Sequence, residues 1–113
     1  MVERGQLWWA ELPNPTKSEP GYKRPVLIVQ ANSFNVSKLS TVVVVAITSN
    51  LRLADVPGNV RLLKGSSGLN KESVANISQI TTLDKEDLID IIGNLDGAVM
   101  RQVDNGLQLV LSV

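Results

Sequence analysis

The run TVVVVAIT, residues 41–48, is almost unbroken in β-branched side chains. Two heavy atoms on Cβ restrict χ1 and suit a pleated strand better than a helix. The run is also short for a helix, so it predicts a buried strand. Residues 6–11 (QLWWAE) and 24–30 (RPVLIVQ) read as further strands from their branched and aromatic content, on either side of a loop bearing Pro13, Pro15, Pro20 and Gly21. Residues 59–63, 73–77 and 79–83 are shorter strand candidates around the turn-like KGSSGLNKE. Residues 84–87 (DKED) suit a single helical turn, and residues 88–95 (LIDIIGNL) fit a strand or a short helix equally. From Asp96, a candidate cap, Val99, Met100, Val103, Leu107 and Val110 recur at three- or four-residue spacing and predict one amphipathic terminal helix. Gly97 and Gly106 weaken that helix, so tertiary packing must support it. The expected class is α+β and mainly β: a small, strongly curved antiparallel sheet or barrel with a helix against it.

At 113 residues the chain reads as one domain over 1–113, large enough for a core and small enough to gain from a second subunit. No apolar run approaches the ~18 residues of a membrane span, and MVERGQLWW lacks the basic and long apolar regions of a signal peptide, so no membrane partner and a cytoplasmic location are expected. Histidine and cysteine are both absent. That removes the commonest general base, the thiol nucleophile and the usual transition-metal ligands, and it excludes a disulfide framework. A net charge of zero conceals an asymmetry: residues 1–71 hold nine Lys/Arg against four Asp/Glu, giving +5, and residues 72–113 hold two against seven, giving −5. The first part can present a positive surface to a polyanion. The alternative is scatter that averages out in three dimensions.

Metal and serine chemistry find little support. Asp84, Glu86, Asp87 and Asp90 match no calcium-loop spacing, and no G-x-S-x-G elbow accompanies a base. RNA makes lighter demands, because its own 2′-hydroxyl is a nucleophile. A protein need only align the sugar, move a proton and stabilise the phosphorane with fixed cations and donors. SEPGYKRP, residues 18–25, sets Lys23 and Arg24 at the entry to a strand, where packing can aim a planar guanidinium at a phosphate in two-pronged geometry. An ordinary edge-strand cation is the other reading. AITSN, residues 46–50, brings the buried run to an end at Thr48, whose hydroxyl can donate to a phosphoryl oxygen from a rigid element. Strands also end in threonine for propensity alone.

GQLWWAEL (5–12), SEPGYKRPVLIV (18–29), AITSN (46–50), the stretch from Ser73-Val74 to Gln79-Ile80 and IGNLD (92–96) together resemble the MazF/PemK toxin family, in its order and over nearly the whole chain. The resemblance implies an SH3-like barrel of the CcdB/MazF type with a C-terminal helix, and a homodimer. It implies a toxin endoribonuclease that cuts single-stranded RNA without metal or other cofactor, leaving a 2′,3′-cyclic phosphate and a 5′-hydroxyl. A MazE-like antitoxin with an acidic tail would inhibit it. By the same carry-over Arg24 matches the catalytic arginine before proline, for proton transfer and phosphorane charge. Thr48 matches the catalytic threonine that ends the third strand. Ser18, Glu19, Lys23 and Gln79 fall where family members contact RNA. Gln6 and Lys17 depart from the pattern, where an acid and a glycine are frequent. Two other functions compete: a non-catalytic RNA-binding barrel, which would not need Arg24 and Thr48 to converge, and a gyrase-directed toxin on the related CcdB-type fold, which would depend on the terminal helix.

Overall fold

In the computed structural model, which describes residues 2–12, 22–65 and 67–113, six strands form a single sheet. They are β1 (Gln6–Leu12), β2 (Tyr22–Ile28), β3 (Thr41–Thr48), β4 (Val60–Leu62), β5 (Ser73–Asp84) and β6 (Leu88–Asn94), in the spatial order β4-β5-β3-β2-β1-β6. Every pairing is antiparallel. The helix α1 (Asn32–Asn35) interrupts the β2–β3 connection, and α2 (Gly97–Leu111) ends the chain.

The valine run forms β3, between β5 and β2, and alternate residues serve two apolar clusters. Val45 and Ile47 join Leu7, Leu27, Ala75 and Ile77 in the first, onto which Val99, Met100, Val103 and Leu107 of α2 pack. Val42 and Val44 join Ala10, Val26, Ile28 and Leu83 in the second. A near-continuous apolar sequence is what a strand buried on both faces requires.

The sheet curls rather than closing by a ladder, and β4 and β6 remain its edges. Register shifts fall in β3–β5 between Val45 and Ala46, and in β1–β6 beside Trp8 and Trp9. Such irregularities bend a strand and increase its twist. The curl brings the backbone of Ser67 and Gly68, after β4, against Ile92 and Gly93 of β6. A Cβ on Gly93 would meet the Ser67 carbonyl, and one on Gly68, at φ +89°, would meet the Ile92 carbonyl.

Several expectations change in detail. The two strands anticipated at 73–77 and 79–83 are one, β5, with the irregularity between them, because a bulge breaks sequence alternation without ending a strand. The second strand spans Tyr22–Ile28, earlier in the chain than the 24–30 expected. Residues 88–95, ambiguous in sequence, supply β6. A 3₁₀ turn at Leu51–Asp55 and the four-residue α1 are too short to leave a period. The anticipated turn at 84–87 is a 3₁₀ turn at Lys85–Asp87.

Asp96 caps α2, its carboxylate accepting from the Val99 N–H at 2.9 Å. The two helix glycines differ sharply. Gly106 packs on the Gly58 carbonyl, where a Cβ would collide, whereas a Cβ on Gly97 would find only Arg101 Nη1 at 3.8 Å. Alanine normally stabilises a helix by ~1 kcal/mol over glycine, while overpacking costs ~1–3 kcal/mol. Because the Gly106 contact is with backbone, the collision outweighs the propensity. Gly106→Ala is therefore expected to lower the urea midpoint and Gly97→Ala to raise it. A stabilising Gly106→Ala would contradict the observed helix seating.

Candidate active site

The β2–β3 ladder pairs Val26 with Ala46, Leu27 with Val45 and Ile28 with Val44. Arg24 and Thr48 each lie two residues beyond the Val26–Ala46 pair, at the same end of the ladder. Both line a cavity of about 320 Å³ at this end of the sheet. Lys23 lines it as well. Ser18 and Glu19 lie outside the described residues, as does Lys17. Gln79 is exposed on β5 and is not among the cavity-lining residues. It stands next to Ile80, the partner of Val45, three residues from Thr48 along β3 and so about 10 Å away along the strand.

Arg24 is exposed, with its guanidinium carbon 5.5 Å from the centroid of the Tyr22 ring. Stacking of this kind orients the planar group while leaving its N–H edge available. Thr48 is half-buried, and its Oγ1 accepts a hydrogen bond from the Asn50 N–H at 3.1 Å. A hydroxyl has one proton to give. With its oxygen already accepting, the Thr48 side chain is poised to donate. Asn50 in turn starts the 3₁₀ turn, its Oδ1 accepting from the Arg52 N–H at 3.2 Å, so the strand end is tied down on both sides.

The rest of the wall comes from residues that the sequence reading passed over. Gly68, Leu69, Asn70 and Lys71, part of the turn-like KGSSGLNKE, line the cavity, as do Ser73 from β5, Ile92 from β6 and Trp9 from β1. Ser73 donates to the Lys71 carbonyl at 3.1 Å, which pins this segment to β5. Two consecutive tryptophans in β1, which must face opposite sides of a strand, were the available signal for Trp9, and the second lysine of the turn was the signal for Lys71. Neither names its partner across the cavity.

The electrostatics are one-sided. Lys23, Arg24 and Lys71 line the cavity, and no Asp or Glu does among the described residues. Two cations elsewhere are paired, Arg4 with Asp104 at 2.6 Å and Arg61 with Glu72 at 3.3 Å, and no such pair is formed by Lys23, Arg24 or Lys71 among the described residues. Unmatched cations around a concavity favour a bound anion. Among the described residues no group of three or more acidic side chains is arranged to hold a metal ion. Gln6 lies away from the cavity, and its Oε1 accepts from Glu3 N–H and Trp8 Nε1–H, both at 2.9 Å. The amide thus fills the accepting role that a carboxylate would have there.

The sequence model described as "PemK-like, MazF-like toxin of type II toxin-antitoxin system" matches residues 3–111. "Endoribonuclease MazF6" of Mycobacterium tuberculosis is 42% identical over 113 residues, covering 100% of this chain and 99% of that protein. "Endoribonuclease EndoA" of Bacillus subtilis is 36% identical, covering 100% and 97%. A solved structure, "Endoribonuclease in complex with its cognate antitoxin from Mycobacterial species", superposes with a TM-score of 0.83 at 27% identity, over 100% of this chain and 97% of that one.

The cavity wall at 67–71 depends on the close approach of Ser67 to Gly93. Gly93→Ala is expected to push that segment off β6. Amide exchange across 67–71 should accelerate and thermal stability should fall, while the β2–β3 amides stay protected. Unchanged exchange at 67–71 would show that the wall does not depend on this contact.

Proposed function

The chain belongs to the PemK-like, MazF-like toxin family of type II toxin–antitoxin systems, and from that premise we propose that it is an endoribonuclease cleaving single-stranded RNA by attack of the 2′-hydroxyl on the neighbouring phosphorus. The observation that carries this reading is the meeting of Arg24 and Thr48, from adjacent strands, in a cavity lined by three cations and, among the described residues, by no carboxylate.

The chemistry follows from those groups. The 2′-oxygen bonds to phosphorus and loses its proton; the P–O5′ bond breaks and the departing oxygen gains one. The products are a 2′,3′-cyclic phosphate and a 5′-hydroxyl. Charge accumulates on the phosphoryl oxygens in between, and pre-set donors stabilise it without reorganising. Arg24 brings a guanidinium, a fixed positive charge with five N–H donors. Its part is to bind and neutralise the phosphorane and to hydrogen-bond the oxygens that exchange protons. Thr48 donates its hydroxyl to a phosphoryl oxygen. Lys23 and Lys71 hold flanking phosphates, and Ser18, Glu19 and Gln79 are assigned to neighbouring nucleotides. A chain without histidine or cysteine suits a metal-free route in which the substrate supplies the nucleophile.

Two partners complete the reading. Leu109 and Leu111 are 62% and 52% exposed at the end of α2, apolar surface that a second copy would cover, in keeping with a homodimer. A MazE-like antitoxin would lay an acidic segment along the cationic cavity in place of RNA. A disordered chain can wrap such a surface and lose its ordering entropy only on binding. Among the described residues no helix is long and apolar enough to cross a membrane, and a cytoplasmic location suits a toxin directed at RNA.

Arg24→Ala and Thr48→Ala are each expected to lower cleavage by ~10² to 10⁴ with the fold retained. Cleavage should persist in excess EDTA and stop when the cut-site ribose is 2′-deoxy. Activity that required an added divalent ion would overturn the mechanism. The acidic segment of the antitoxin should compete with an uncleavable RNA for the dimer. If both bind together with neither weakened, the shared cavity is wrong.

A further inference from the structure

Trp8 and Trp9 are consecutive in β1 and so project to opposite faces of the sheet. Trp8 is accounted for: it packs on the second apolar cluster and its Nε1 donates to Gln6 Oε1 at 2.9 Å. Trp9 belongs to neither cluster, is 36% exposed and lines the cavity. A singly exposed aromatic is ordinary. Its surroundings are not. Pro25 is its partner across the ladder, and Ile47, Leu69 and Ile92 continue the apolar wall beside it. The same cavity is therefore lined both by cations and by an apolar set around Trp9.

We infer that this apolar lining forms a nucleobase pocket. The base next to the phosphate held by Arg24 and Thr48 leaves its stack, lies against Trp9 and turns its polar edge toward Asn70. This rests on the RNA reading above and adds to it the group that the pocket holds. Single-stranded RNA is recognised through bases splayed onto aromatic rings and read along their edges. The cavity, at about 320 Å³, is at the small end of the ~300–1,000 Å³ typical of ligand sites, which suits a nucleotide-sized group. Asn70 is exposed at the rim and makes no hydrogen bond among the described residues. Its carboxamide offers one acceptor and two donors, the complement of the adjacent donor and acceptor on a base edge. Ser73, by contrast, commits its proton to the Lys71 carbonyl and so steadies the segment that carries Asn70. Stacking tolerates any base, so Trp9 supplies affinity. Asn70 supplies discrimination.

The test uses the intact protein and two uncleavable strands of equal length and charge: a fully 2′-O-methylated RNA of mixed sequence and its abasic counterpart. Trp9→Leu should weaken the base-bearing strand about tenfold or more and leave the abasic strand unchanged. Trp9→Phe should restore most of the loss. Asn70→Ala should alter the order of affinities among strands differing in one base, with the mean affinity little moved. Arg24→Ala, which removes a phosphate contact, should weaken both kinds of strand. In the wild-type protein the base-bearing strand should quench tryptophan emission and the bound abasic strand should not, a readout that holds even if Trp9→Leu fails to fold. Equal loss of both strands in Trp9→Leu, or loss of neither, would overturn the base pocket. So would emission that responds alike to both. If RNA is cleaved and the two strands nevertheless bind the wild type equally, only this inference fails; if neither strand binds, the RNA reading fails with it.

Discussion

Val26, Leu27 and Ile28 of β2 lie against Ala46, Val45 and Val44 of β3, and the register of those three pairs governs the rest of the molecule. Leu27 and Val45 face the cluster beneath α2, while Val26, Ile28 and Val44 face the other. A slip of one residue would send each set to the wrong face and would carry Arg24 away from Thr48. The geometry of the site is thus enforced by burial of side chains that take no part in it. Arg24 and Thr48 need no contact with each other; they need only stand on strands that the core holds in one alignment.

The second constraint is backbone proximity. Gly93 lets Ser67 approach β6, Gly68 lets its own backbone settle on Ile92, and Gly106 seats α2 on Gly58. The first two set the wall that carries Leu69, Asn70 and Lys71 into the cavity. The sheet's open edges therefore come together where the cavity needs a side, without a ladder between β4 and β6. The overall charge of zero is no obstacle to anion binding, because neutralisation is local: Asp104 and Glu72 answer Arg4 and Arg61, and no carboxylate among the described residues answers Lys23, Arg24 or Lys71 at the cavity.

Arg24 and Thr48 were legible as candidates because each sits where a strong local pattern begins or ends, at the proline after Lys23-Arg24 and at the close of TVVVVAIT. Trp9, Asn70 and Lys71 were not. Trp9 was read for its strand propensity with Trp8, and Asn70 and Lys71 as parts of a turn. β5 was divided in two because its irregularity falls where the apolar alternation lapses. The 3₁₀ turn at Leu51–Asp55 and the helix α1 were missed because four or five residues cannot establish a period.

From sequence alone followed the β-rich class, the buried β3, the cap at Asp96, the terminal helix and a chemistry without histidine or cysteine. These are local matters: a strand repeats every two residues, a helix every 3.6, and a cap acts within one turn. Only the folded chain decided that Trp9 and Lys71 share a cavity with Arg24, that Gln79 does not line it, and that Gly106 is a contact rather than a weak point. Those outcomes depend on strand register and on loops from opposite ends of the sheet coming together. Both are set by burial summed over distant residues, and no window of the sequence contains that sum.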